Sequence, residues 1–337
     1  MPNWELDPGR PARIRVTGVT SARAAADWLR ESHEEISAGL RQHGAVLLRG
    51  LPIATTEDVA TVRDVLIPER TPYREKATPR SDFGNGVFSS TDLPPSQAIR
   101  MHNENSYTLT FPGLLLFACL TAPPEGGATP VADCRKVLRE LPSELVARAR
   151  ATGWSLTRNY SGYISLDWRT AFGTEDPEAV NAYCAENLID AQWRTDGTLR
   201  TRQIRPATLT HPDTGEESWF NHLAFWNEWS LEPEIRAALI DEFGPDGLPF
   251  NTGLGDGTAL TRDEVAELNA VYEAATVRET WQRGDLMLVD NIGTAHGRDP
   301  FRGDRKIAVA MGAPVRMADC RPGVRPAATA AASTTDR

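Results

Sequence analysis

The sequence predicts an α+β fold, mainly β with helices inserted, built as one domain. Three observations predict it. Strand-type runs are spread from residue 45 to residue 312, helical patterns interrupt them without alternating one for one, and neither a linker nor an internal repeat divides the chain. A length of 337 residues and an apolar share of 40% allow a sizeable core.

The elements follow in order. Residues 20 to 44 place Ala25, Leu29, Ile36 and Leu40 at helical intervals and end at Gly44, which predicts one amphipathic helix. "AVLLRG" then reads as a buried strand and "TEDVATVRDVLI" as a second helix. Residues 71 to 97 are rich in Pro, Gly, Ser and Asp without periodicity, and read as a long ordered loop or lid. "GLLLFACL", 113 to 120, is an apolar run of strand length closed by "TAPPEGG". Helical patterns return at 135 to 152 and 177 to 190, and residues 199 to 221 alternate like paired strands turning around His211 to Gly215. Helices are expected at about 232 to 243 and at 262 to 279, the latter opening on a capping box, Thr261 to Glu264. "DLMLVDN" and "RKIAVAMG" are the last strands. Residues 1 to 320 are expected to form the domain, and the tail 321 to 337, poor in large apolar groups, is expected to be disordered.

A formal charge of -10 with no basic run argues against a nucleic-acid surface and for small-molecule or protein partners. Cys119, Cys134, Cys184 and Cys320 have no CxxC spacing and read as reduced core thiols. The first residues contain no apolar h-region and no run is long enough to span a bilayer, so a cytoplasmic location without membrane contact is expected.

Of six histidines, three begin a His-x-acid triplet: His33 to Glu35, His102 to Glu104 and His211 to Asp213. About one such triplet is expected by chance, so context must sort them. His33 lies in the first helix, where residues two apart point about 200° away from each other and cannot grip one ion. His211 sits in a Pro-Gly turn of hairpin composition. His102 and Glu104 fall in a segment that can be extended, where i and i+2 share a face and can converge on a metal. A third ligand is required, and His296, just past the strand-type run 285 to 291, is the candidate. Two imidazoles and one carboxylate form the facial triad of non-haem Fe(II), which leaves three positions open. His43, ending a helix, and His222, after "WFN", read as structural.

An α-keto acid filling two open positions, with O2 in the third, needs a cation for its far carboxylate, and a bidentate arginine suits that best. Arg305 begins the final strand; Arg298 and Arg302 compete with it on distance.

Together, "MHNENSY", "FPGLLLFACLTAPPEGGATPVADCRKVLREL", "SWFNH", "LPFNTGLGDG" and "RGDLMLVDNIGTAHGRDPFRGDRKIAVAMG" resemble the TauD/TfdA superfamily of Fe(II)- and 2-oxoglutarate-dependent dioxygenases, from about residue 40 to 315. Within it the SyrP-like and clavaminate-synthase-like branches, with a His-x-Glu first motif, are the most similar. The resemblance implies a double-stranded β-helix, or jelly roll, with helical insertions. It implies His102, Glu104 and His296 as iron ligands, Thr129 as a hydrogen-bond partner of 2-oxoglutarate, and Arg305 as the partner of its distal carboxylate; the spacing from His296 keeps Arg298 in competition for that role. Glutamate stands where aspartate is commoner. Because the carboxylate is present, no position is vacated for chloride as in halogenases.

The activity implied is hydroxylation of an unactivated C-H bond of an amino-acid-type substrate, free or tethered to a peptidyl carrier protein, in specialised-metabolite biosynthesis. Desaturation or cyclisation is the alternative outcome. Asn105, Tyr107 and the 71 to 97 loop are candidates for substrate contact; the alternative role of these polar groups is to satisfy buried backbone. The rival classes are a non-catalytic jelly-roll binding protein and a zinc hydrolase; the second lacks any HExxH pattern.

Overall fold

The computed structural model describes residues 11–71, 75–162 and 165–328, and the backbone of 3–5. Residues 72–74 of the expected loop and 329–337 of the expected tail lie outside the described residues.

Two sheets form the barrel. The larger runs in the order Asn3–Glu5, Ala12–Arg15, Ala45–Arg49, Leu286–Asp290, Thr110–Thr121, Lys306–Arg316, Phe88–Ser89, antiparallel except where Ala12–Arg15 meets Ala45–Arg49. The smaller runs Thr276–Val277, Val131–Asp133, Thr294–Arg298, Ile99–His102, antiparallel throughout. This is the jelly roll with helical insertions that the sequence led us to expect.

Burial explains why "GLLLFACL" reads as a continuous apolar run. Leu115, Phe117 and Cys119 face the barrel interior with Met287, Val289, Ile307 and Val309. Leu116, Ala118 and Leu120 point the other way, into a second core with Leu29, Val59 and Val62 of the N-terminal helices. A strand covered on both faces has no polar side to alternate with.

A third sheet, Asp190–Trp193, Leu199–Arg205, Trp154–Tyr160, Phe250–Leu254, extends the fold beside the barrel. The hairpin around His211 forms between Thr208–Thr210 and Glu217–Trp219. The capping box opens helix Arg262–Ala275 as expected, with Thr261 and Glu264 bonding reciprocally.

Several boundaries differ from expectation. The first helix is two, Ala22–Glu31 and His33–His43, interrupted at Ser32, whose φ of -97° and ψ of 14° leave the helical region. The expected helix over 135 to 152 is also two, Cys134–Glu140 and Ser143–Thr152, because Pro142 cannot continue the first. The helices from 177 and 262 stop at Glu186 and Ala275. The tail is placed as far as residue 328: Ala327 exchanges backbone hydrogen bonds of 2.8 and 3.2 Å with Ile204, which lies beyond the residues that Asp190–Trp193 pairs. Among the described residues no helix is long and apolar enough to cross a membrane. All four cysteines are free and buried.

Candidate active site

The smaller sheet brings the two distant histidines together. Strands Ile99–His102 and Thr294–Arg298 pair antiparallel with His102 directly opposite His296, so their rings lie 4.4 Å apart between centroids. The register shifts just after His296, and there a Cβ on Gly297 would meet the Ile99 carbonyl at 2.5 Å. Glycine allows the strands to approach at that bulge.

Glu104 arrives by another route than expected. The strand ends at His102, and Glu104 lies on the turn that follows, with Asn105 in the left-handed region at φ 52°. Asn291 fixes that turn: its Oδ1 accepts from Glu104 N at 2.7 Å, and its Nδ2 donates to Glu104 O at 2.9 Å. Asn103 Nδ2 donates to the Asn291 carbonyl at 2.8 Å. The result is three buried side chains, His102, Glu104 and His296, whose donor atoms all lie within 4.8 Å of one another.

The donor set fits a ferrous ion. His102 Nδ1 is 2.9 Å from the Arg100 carbonyl, which directs its Nε2 toward the cavity. Burial, then the charge of His296, lowers the His102 pKa to about 3, so the imidazole is neutral and able to ligate at physiological pH. Burial alone would raise the pKa of Glu104; Arg80 and the two imidazoles overcome it and hold the group ionised. Arg80 Nη2 lies 3.0 Å from both carboxylate oxygens.

A second cluster stands nearby. Arg305 donates to the Gly127 carbonyl at 2.8 Å, to Ser90 Oγ at 3.2 Å and to Thr129 Oγ1 at 3.2 Å. Trp281 Nε1 also donates to Thr129 Oγ1, at 3.2 Å. Burial lowers the Arg305 pKa to about 10, which leaves it a cation at neutral pH. Arg298 lines the same cavity, yet its guanidinium donates to the carbonyls of Leu93, Pro94 and Gln97 at 2.7 to 3.0 Å. That arginine clamps the end of the long loop. Arg302 is exposed and pairs with Glu125.

Residues 15–311 match the model of the family described as "Taurine catabolism dioxygenase TauD, TfdA family". The chain belongs to the TauD/TfdA family. It is an iron(II)- and 2-oxoglutarate-dependent oxygenase. It is 36% identical over 310 residues to the dapdiamide synthesis protein DdaC of Enterobacter agglomerans, covering 92% of this chain and 94% of that protein. It is 28% identical over 286 residues to the clavaminate synthase-like protein At3g21360 of Arabidopsis thaliana, covering 81% and 82%. Among solved structures, AAD-2 in complex with Mn(II) and N-oxalylglycine superposes with a TM-score of 0.55 at 14% identity over 96% of this chain and 100% of that one, a likeness of fold.

In this TauD/TfdA chain the cavity has walls on the long loop, already a candidate for substrate contact, and others that the sequence did not announce. Arg80, Ser90 and Thr91 come from the long loop, and Phe225 and Trp226 follow "WFNH". His222, read as structural, lines the cavity too, with Nδ1 2.6 Å from Ser106 Oγ and its ring 4.2 Å from Trp226. The motif "SWFNH" was the available signal. Asn105 and Tyr107 also line the cavity; the tyrosine hydroxyl lies 3.1 Å from both Glu75 O and Asn105 Oδ1. His33 is exposed on its helix, away from this site.

Proposed function

We propose that this oxygenase hydroxylates an unactivated C-H bond of an amino acid or amino-acid-derived small molecule, free or held on a peptidyl carrier protein, in specialised-metabolite biosynthesis. The observation that carries the reading is the convergence of His102, Glu104 and His296 in a cavity that also contains Arg305 and Thr129. Similarity to a dapdiamide synthesis protein over nearly the whole chain supports a biosynthetic role.

His102, Glu104 and His296 would hold the iron. Arg305, with Thr129, pairs with the distal carboxylate of 2-oxoglutarate; its fork is fixed in advance by the Gly127 carbonyl and Ser90. Bound iron(II), with 2-oxoglutarate and O2, would supply the oxidising power for C-H cleavage. The chain's own part is positioning and exclusion of water. Phe117 packs on His296 with centroids 5.2 Å apart, and Phe225 stacks on His102 at 4.6 Å, so the ligands are backed by aromatic surface. Arg298 fastens the loop that closes one side.

The charge of the cavity differs from that of the protein. Arg80, Arg298 and Arg305 line it against one carboxylate, Glu104, in a chain whose formal charge is -10. Such a wall favours anionic occupants, 2-oxoglutarate first among them. Asn105 and Tyr107, which line the cavity, are the candidates for substrate contact.

The test has two stages. Anaerobic Fe(II) with 2-oxoglutarate should give a weak visible charge-transfer band. Free amino acids and carrier-bound aminoacyl thioesters are then screened for O2-dependent succinate release above the substrate-free rate, with mass analysis for a gain of one oxygen. A colourless mixture defeats the assignment of the site. A product lacking the added oxygen replaces hydroxylation by desaturation or cyclisation.

A further inference from the structure

A carboxylate can hold a divalent ion through one oxygen or through two. The difference matters here, because a facial triad serves a bidentate co-substrate and O2 only while three positions remain open. Glutamate, with one more rotatable bond than aspartate, has more freedom to swing both oxygens onto the ion. Something in this chain must restrain Glu104.

Arg80 is placed to do so. Its Nη2 spans both oxygens at 3.0 Å, and the two side chains are only 8% and 7% exposed. Oε2 lies 3.6 Å from His296 Nε2. Arg80 itself is held by a braced loop. Ser81 and Ser89 exchange bonds of 2.9 Å, and their hydroxyls donate to the two oxygens of Asp92 at 3.0 and 2.7 Å. Arg80 Nη1 lies against Met311 Sδ at 3.7 Å.

We propose that Arg80 is a positioning residue that keeps Glu104 a one-oxygen ligand: the guanidinium retains Oε1 while Oε2 is presented to the metal. The proposal rests on Glu104 being an iron ligand. Arg80 then acts on the number of open positions more than on the strength of metal binding. Its removal takes a cation away from beside the metal, which favours metal binding, and releases the second oxygen to occupy a position that 2-oxoglutarate needs.

The experiment uses the full chain with Arg80→Gln and Arg80→Lys, under anaerobic conditions. Fe(II) affinity is titrated first, then 2-oxoglutarate affinity from its charge-transfer band. The expected result is 2-oxoglutarate affinity about tenfold or more weaker in Arg80→Gln and less affected in Arg80→Lys, with a smaller change in Fe(II) affinity. Unchanged 2-oxoglutarate affinity in both variants overturns the proposal. So does a parallel fall in both affinities, which would make Arg80 a brace of the fold. If the glutamine variant does not fold, Arg80→Met takes its place with the same outcomes. Glu104→Ala is measured beside them: parental Fe(II) affinity there removes Glu104 from the metal, a failure of the ligand assignment and distinct from a failure of Arg80's role.

Discussion

The strand end at His102 and the hairpin turn at His211 each offer an imidazole with an acid two residues on, and they do different work. At His102 one ring nitrogen is taken by the Arg100 carbonyl, the other faces a cavity, and a paired strand delivers His296 opposite. At His211 both nitrogens are engaged. Nδ1 accepts from the backbone N-H of Asp213 at 3.1 Å and of Thr214 at 3.3 Å, and Nε2 sits 3.3 Å from Asp290 Oδ2. Asp213 is exposed. Burial opposes protonation of both rings, but the Asp290 carboxylate outweighs it at His211 and raises the pKa, whereas at His102 the neighbouring His296 adds to it. A metal site needs a donor atom left unspent and a second strand to complete it; the acid two residues away decides neither.

The comparison is broken most directly by deleting the acids. Glu104→Ala should weaken Fe(II) binding by more than about 100-fold and abolish succinate formation, while Asp213→Ala leaves both within about twofold. Fe(II) titration and succinate assay check the pair, and equal losses would mean that the turn matters to the site. The two arginines sharpen it next. Arg305→Ala should cost roughly 2 to 4 kcal/mol in 2-oxoglutarate binding, read as the dissociation constant, because a buried charge partner is lost. Arg298→Ala should cost much less there and show instead as faster hydrogen exchange over 93 to 97, whose carbonyls it holds.

What the chain disclosed in advance follows the range of the forces involved. The triad was legible from the His-x-Glu spacing and from His296 following the strand-type run 285 to 291, and the strand at 113 to 120 was legible because both its faces are buried. Thr129 and Arg305, each implied by the resemblance as a contact of 2-oxoglutarate, lie 3.2 Å apart. Arg80 was not legible. It sits in a loop without periodicity, and its partner is 24 residues away, joined by a contact that no local spacing encodes. Asn291 is a similar case, since its contact with Glu104 spans 187 residues. The turn at Glu104 was hidden because an extended segment and a tight turn can both bring i and i+2 together. Ser32 and Pro142 interrupt helices whose apolar spacing continues across the break, so periodicity alone joined them.

Acid titration separates the two regions by sign. An unfolded imidazole takes its proton near 6.5, but His102 in the folded chain takes it only near pH 3. Between those values the unfolded state binds the extra proton, so stability falls as pH falls. Buried His222, lowered in the same direction, adds to the slope. The metal-free protein should therefore melt several degrees lower at pH 5 than at pH 7, with a flatter profile in His102→Asn. A profile as steep in the variant as in the parent would take His102 out of the account.

His211 should show the opposite trend with a smaller amplitude. His211→Ala removes the turn bonds and the Asp290 contact, for roughly 1 to 2 kcal/mol, and leaves Fe(II) and 2-oxoglutarate affinity unchanged. Because the folded pKa is raised above 6.5, the charged share of that loss is fully present below pH 6.5 and disappears as pH rises through the raised value. Urea unfolding at pH 6 and pH 8.5 should thus give a larger penalty at the lower pH. An equal penalty at both would assign His211 to neutral turn bonding alone, with Asp290 contributing no charge interaction.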